Sequence, residues 1–96
     1  EELVDLGDGQ YLVEGSMKLD DLNDILGLEL SSEDYDSVGG LVIDRLEHLP
    51  SQGEEVVCGN VRLVVEQVEK NRIDKVHLYV LPEEKEENIE GRRNSS

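Results

Sequence analysis

Two stretches in the last third of the chain alternate apolar and polar residues, and only Lys70-Asn71 separates them. In Val61–Glu69, Leu63 and Val65 alternate with Arg62, Val64 and Glu66; in Arg72–Val80, Val76, Leu78 and Val80 alternate with Lys75, His77 and Tyr79. Successive residues of a strand point to opposite faces, so this pattern describes strands buried on one side. Glu55-Val56-Val57-Cys58 with Gly59-Asn60 adds a strand in front, giving a three-stranded meander. Ile73 is out of phase with Val76, Leu78 and Val80, which predicts a bulge near Asp74-Lys75. At the other end, Leu3-Val4-Asp5-Leu6 and Gln10–Glu14 flank Gly7-Asp8-Gly9, a turn able to take the positive φ angles of a hairpin.

Between these β units the period changes. Leu19, Leu22, Ile25 and Leu26 fall at helical spacing, with Gly27 placed to close the helix. Asp20 and Asp21 suit the positive end of the helix dipole, whereas Lys18 at the N-cap offers no acceptor. After a polar connector, Leu28 to Asp36, a second helix capped by Asp36 or Ser37 carries Val38, Leu41, Val42, Leu46 and Leu49 on one face. Gly39-Gly40 near its start costs about 1 kcal/mol per residue in helix propensity, which points to close approach of another backbone. Pro50 and Gly53 stop it. The expected fold is α+β: a small, mostly antiparallel sheet, formed by the N-terminal hairpin and the C-terminal meander, packed against two helices. Residues 1–81 read as one domain. Residues 82–96, with Glu83-Glu84-Lys85-Glu86-Glu87, read as an acidic, disordered tail that cannot offset its own ordering entropy.

Composition excludes several functions. The chain has 24 acidic and nine basic residues, a formal net charge of -15, which repels nucleic-acid backbones and anionic lipid alike. No apolar run approaches the roughly 20 residues of a membrane span, so direct membrane insertion by this domain is not expected. A single cysteine, Cys58, allows no internal disulfide. Glu1-Glu2-Leu3 does not read as a signal peptide and lacks an initiator Met, as expected of a fragment of a longer protein. The aromatics are three tyrosines, with no Phe or Trp, so the core is aliphatic and offers no stacking platform for bases or flat cofactors.

A search for chemistry finds little. His48, His77 and Cys58 are far apart in sequence; the histidines read as capping or surface residues and Cys58 as a small hydrophobe. Three such residues do not make a zinc site. Asp34-x-Asp36 begins like an EF-hand loop, but Val38 and Arg45 occupy later ligand positions. Asp20, Asp21, Asp24 and Glu29 read as a solvated helix face able to attract divalent cations only weakly. Gly7-x-Gly9 and Gly39-Gly40 match no phosphate-binding loop. The two helices do not suit DNA, because the connector is long and the second offers only Arg45.

Three ordered motifs nevertheless carry a resemblance. They are Tyr11-Leu12-Val13-Glu14-Gly15-Ser16-Met17 followed by Leu19-Asp20-Asp21-Leu22-Asn23; Asp34-Tyr35-Asp36-Ser37-Val38-Gly39-Gly40-Leu41 with Leu46, Leu49-Pro50 and Gly53-Glu54; and Asn71-Arg72-Ile73-Asp74-Lys75-Val76. Over about residues 3 to 80 the chain resembles the CorC/HlyC transporter-associated domain, departing at Lys18, where a serine is commoner. The resemblance implies a C-terminal domain of a bacterial integral-membrane protein, following a transmembrane region and paired CBS domains, in proteins labelled hemolysin-like or tied to magnesium and cobalt efflux. It implies a cytoplasmic, non-enzymatic domain that modulates divalent-cation transport, with those CBS and transmembrane domains as partners. No catalytic, cofactor-binding or metal-ligating residue is carried over. It also implies a fold similar to a subdomain of PCMH-type FAD-binding proteins, which leaves a flavin or adenine-nucleotide module as the alternative, although fold does not carry function. Arg72, a basic residue opening a strand in an acidic domain, is expected either to pair with Asp21 or Glu69 or to contact a partner domain. Exposed strand edges leave homo-oligomerisation open.

Overall fold

The computed structural model describes residues 1–81, so the expected tail at 82–96 lies outside the described residues. The elements follow the sequence pattern: β1 Leu3–Gly7, β2 Gln10–Glu14, α1 Leu19–Leu26, α2 Val38–Leu46, β3 Glu55–Cys58, β4 Val61–Glu69 and β5 Arg72–Val80. The hairpin and the meander join into one five-stranded sheet of order β1-β2-β5-β4-β3. The join is antiparallel pairing of β2 with β5, from Gln10 opposite Tyr79 to Glu14 opposite Lys75. All the ladders are antiparallel. The first turn is left-handed throughout, with φ of 88° at Gly7, 56° at Asp8 and 74° at Gly9.

The bulge expected near Asp74 is present and has a counterpart. Pairing runs from Val65 opposite Val76 to Gln67 opposite Lys75 and then Val68 opposite Ile73. β4 thus skips Glu66 and β5 skips Asp74, and the second skip returns Ile73 to the face of Val76, where it is buried. The helices cover this face, with α2 lying across β2, β5 and β3. Val13, Leu63, Val76 and Leu78 from the sheet meet Leu22, Val38, Leu41 and Val42 from the helices, all of them fully buried. Among the described residues no buried side chain is polar or charged.

Two expected core positions are corrected. Ile25 is 59% exposed, because a helix of eight residues seats only its Leu19–Leu22–Leu26 ridge. Leu49 is also exposed, because α2 ends earlier than its apolar spacing suggests: Glu47 takes φ 64° and turns the chain away. The sheet's other face carries Gln10, Leu12, Arg62, Val64, His77 and Tyr79, which shield one another in part. The His77 and Tyr79 rings stack with centroids 4.3 Å apart, and the Arg62 guanidinium lies 5.1 Å from the Tyr79 centroid while pairing with Glu55.

Candidate functional site: a glycine-lined cleft

The poor N-cap at Lys18 has a local solution. Leu19 N–H donates to the Asp36 carbonyl at 2.8 Å, and Val38 N–H donates to the Met17 carbonyl at 2.9 Å. Each helix therefore satisfies its first donor on the residue before the other helix's N-cap, through an antiparallel bridge between Lys18 and Ser37. Ser37, one of the two expected caps, accepts from Gly40 N–H at 3.1 Å. Asn23 braces the connector by donating to the Leu30 carbonyl (2.8 Å) and accepting from Leu30 N–H (3.0 Å).

This arrangement brings the three motifs to one place. Gly15 N–H donates to the Asp74 carbonyl at 2.9 Å, and Gly39 N–H donates to the Gly15 carbonyl at 2.9 Å. The exit from β2, the start of α2 and the start of β5 thus touch backbone to backbone. A Cβ on Gly39 would lie 3.1 Å from the Gly15 carbonyl oxygen, so the close approach expected of the glycine pair is present. Gly40 meets a side chain instead: Tyr35 packs flat against it, 2.5 Å from where a Cβ would stand. Above this junction opens a cleft of about 440 Å³, floored by Gly15, Gly39, Gly40, Ile43 and Ile73 and flanked by Tyr35 and Arg72.

The cleft's charge is uneven. Arg72 is exposed, and among the described residues neither Asp21 nor Glu69 forms the expected ion pair with it. Glu14 and Asp74, also on the rim, are offset by Lys75 at 3.9 and 3.8 Å. The first N–H groups of α2 are already engaged by Met17, Gly15 and Ser37. They cannot cradle a phosphate, and the cleft's one aromatic is Tyr35, so the residues present do not fit a flavin or adenine dinucleotide. Tyr35 and Ile43 are the lining residues that residue-by-residue chemistry overlooked; Tyr35 stands within the quoted middle motif, while Ile43 carried no signal.

The other candidates stay apart. His48 Nε2 lies 3.0 Å from Glu54 Oε1, and Ser51 N–H donates to the other Glu54 oxygen at 2.7 Å. The Ser51 bond first, and then His48, hold the Glu54 carboxyl below its usual range. His77 Nε2 is 3.1 Å from Gln10 Oε1 and its Nδ1 is 3.5 Å from Glu66. Cys58 pairs with Val61 and packs toward the core, on the face of the sheet opposite His77, and burial pushes its thiol pKa up. Among the described residues no group of three His, Cys, Asp or Glu side chains could hold a metal ion, the Asp20, Asp21, Asp24 and Glu29 set included. Among the same residues no helix is long and apolar enough to cross a membrane.

The pattern of these motifs recurs in known proteins. The chain is 36% identical over 75 residues to the UPF0053 protein YegH of Escherichia coli, covering 77% of this chain and 14% of that protein. It is 30% identical over 70 residues to the magnesium and cobalt efflux protein CorC of Salmonella typhimurium, covering 73% of this chain and 24% of that protein. The chain therefore spans less than a quarter of the length of these curated relatives. Among solved structures, the Mg2+ and Co2+ transporter (CorC) associated region from Neisseria meningitidis superposes with a TM-score of 0.78 at 28% identity, over 84% of this chain and all of that one. The transporter associated domain of a CBS domain protein from Porphyromonas gingivalis gives 0.76 at 29%, over 85% and 100%. A Xylella fastidiosa hemolysin domain solved in complex with Mg2+ and Mn2+ gives 0.77 at 27%, over 85% and 100%. The model of the transporter associated domain matches residues 4–82, and the chain belongs to that family, CorC_HlyC.

Proposed function

We propose that this chain is a non-catalytic regulatory and interaction domain of a CBS-domain membrane protein, lying on the cytoplasmic side and modulating the efflux of divalent cations such as magnesium or cobalt. The observation that carries the reading is the family match over residues 4–82 in a chain that fills only 24% of its relative CorC. Two further features support it. Cys58 and His77 are held apart on opposite faces of the sheet. The family motifs converge on a cleft with glycines in its floor and Tyr35 and Arg72 on its flanks, a shape suited to receiving a protein segment.

One observation favours a role for cations at the domain itself, the Mg2+ and Mn2+ complex of the Xylella relative. In this chain any such ion is held weakly by the acidic surface, because the described residues gather no ligand set. The flavin alternative has no comparable support.

The test is made in the full-length parent protein. Removing residues 4–82 should change cobalt tolerance and the rate of magnesium efflux from loaded cells while leaving the remainder in the membrane. Unchanged efflux at equal membrane abundance would overturn the proposal.

A further inference from the structure

We infer that the cleft between α2 and the start of β5 binds an acidic segment of a partner protein, with a carboxylate on Arg72 and the adjacent aliphatic side chain on the Gly39–Gly40–Ile43 floor. This deepens the interaction reading above and rests on it.

Most of the described basic side chains are engaged within the protein. Lys18 faces Asp36 at 3.4 Å, Arg62 faces Glu55, and Lys75 lies between Glu14 and Asp74. The Arg45 guanidinium donates to the Ser31 carbonyl at 3.4 Å. Among the described residues, Arg72 is the arginine, and Lys70 the lysine, that meet neither a carboxylate nor a carbonyl, in a chain whose formal charge is -15, and of the two Arg72 lines the cleft. Carboxylates are abundant in this protein, so an arginine left exposed at the mouth of a cleft is available to one supplied from outside. Its planar guanidinium matches a carboxylate through two parallel N–H donors.

The floor specifies what accompanies that carboxylate. Gly39, Gly40 and Ile73 line the floor but are themselves buried, so the aliphatic surface open to a ligand is that of half-buried Ile43 beside Tyr35, which is 41% exposed. A volume of about 440 Å³ takes two or three side chains, not a folded element. Phosphate is a poor match, because the nearby α2 N–H groups are engaged within the protein and Glu14 and Asp74 share the rim. A singly charged carboxylate on a short peptide needs only the one guanidinium, while Lys75 moderates the two rim carboxylates.

The experiment titrates isotope-labelled full chain with the blocked peptide acetyl-Leu-Glu-Ile-Glu-amide and with its Gln-for-Glu counterpart, following backbone amide shifts. The acidic peptide should move Gly15, Gly39, Gly40 and Ile73 saturably, and the Gln peptide should bind roughly tenfold more weakly, the scale of losing an exposed charge-assisted hydrogen bond. Arg72→Gln should weaken the acidic peptide by a similar factor at an unchanged melting temperature, since Arg72 is exposed. Absence of binding at millimolar peptide, equal binding of both peptides, or undiminished binding by R72Q overturns the inference. These results are independent of the efflux assay. A transport effect without peptide binding removes only the cleft assignment, and peptide binding without a transport effect removes only the regulatory role.

Discussion

A methyl group on Gly15 would stand 2.0 Å from the Ile73 carbonyl oxygen and 2.9 Å from its carbonyl carbon. Both are backbone atoms held in a sheet, so no side chain can swing aside. Gly15→Ala is expected to cost about 3 kcal/mol or more, the range of overpacking that must move backbone. Urea unfolding followed by circular dichroism measures this, and a loss below about 1 kcal/mol would show that the junction yields. The sequence marks Gly15 as the exit from a strand but not as a contact surface, because tightness depends on a residue nearly sixty positions away. Lys18 shows the same limit. As an N-cap it is poor by residue type, and the Asp36 carbonyl that makes it acceptable belongs to another helix's approach. Arg72 was legible as anomalous from charge alone, whereas its place at the cleft required the fold.

At the scale of elements, periodicity located every strand and both helices, because alternation and helical spacing are local consequences of burying one face. It also exposed the Asp74 bulge, through the phase of Ile73. It did not expose the matching irregularity at Glu66: Val68 is out of phase with Val61, Leu63 and Val65, but Val64, apolar on the opposite face, blurs the alternation there. Two skips, one in each strand, cancel, so residues on both sides of the step keep their faces. Deleting Glu66 or Asp74 alone leaves one strand a residue longer than its partner and should lower the melting temperature by many degrees. Deleting both removes the step while keeping Val65, Val68, Ile73 and Val76 on one face. The double deletion should therefore melt above either single deletion, and additive losses would contradict the pairing.

For the molecule as a whole, a formal charge of -15 on 96 residues means that folding gathers like charges. Added monovalent salt shortens the reach of that repulsion to about 3 Å at 1 M, so the melting temperature should rise between 0.05 and 0.5 M sodium chloride, as read by calorimetry. A fall would show that surface ion pairs such as Lys18–Asp36 outweigh the repulsion. The union of the two β units into one sheet was expected, but the strands through which they join were not legible, because alternation says which face of a strand is buried and nothing about its neighbour. That union rests on β5, the last of the described strands in sequence and the middle one in space. On the ribosome, the hairpin and the first part of the meander emerge with only α2 to span them, and the sheet between them waits until Val80 has cleared the exit tunnel. The sheet closes late, and a chain stopped at Asn71 during synthesis would leave two pairs of strands, β1-β2 and β3-β4, without the strand that joins them.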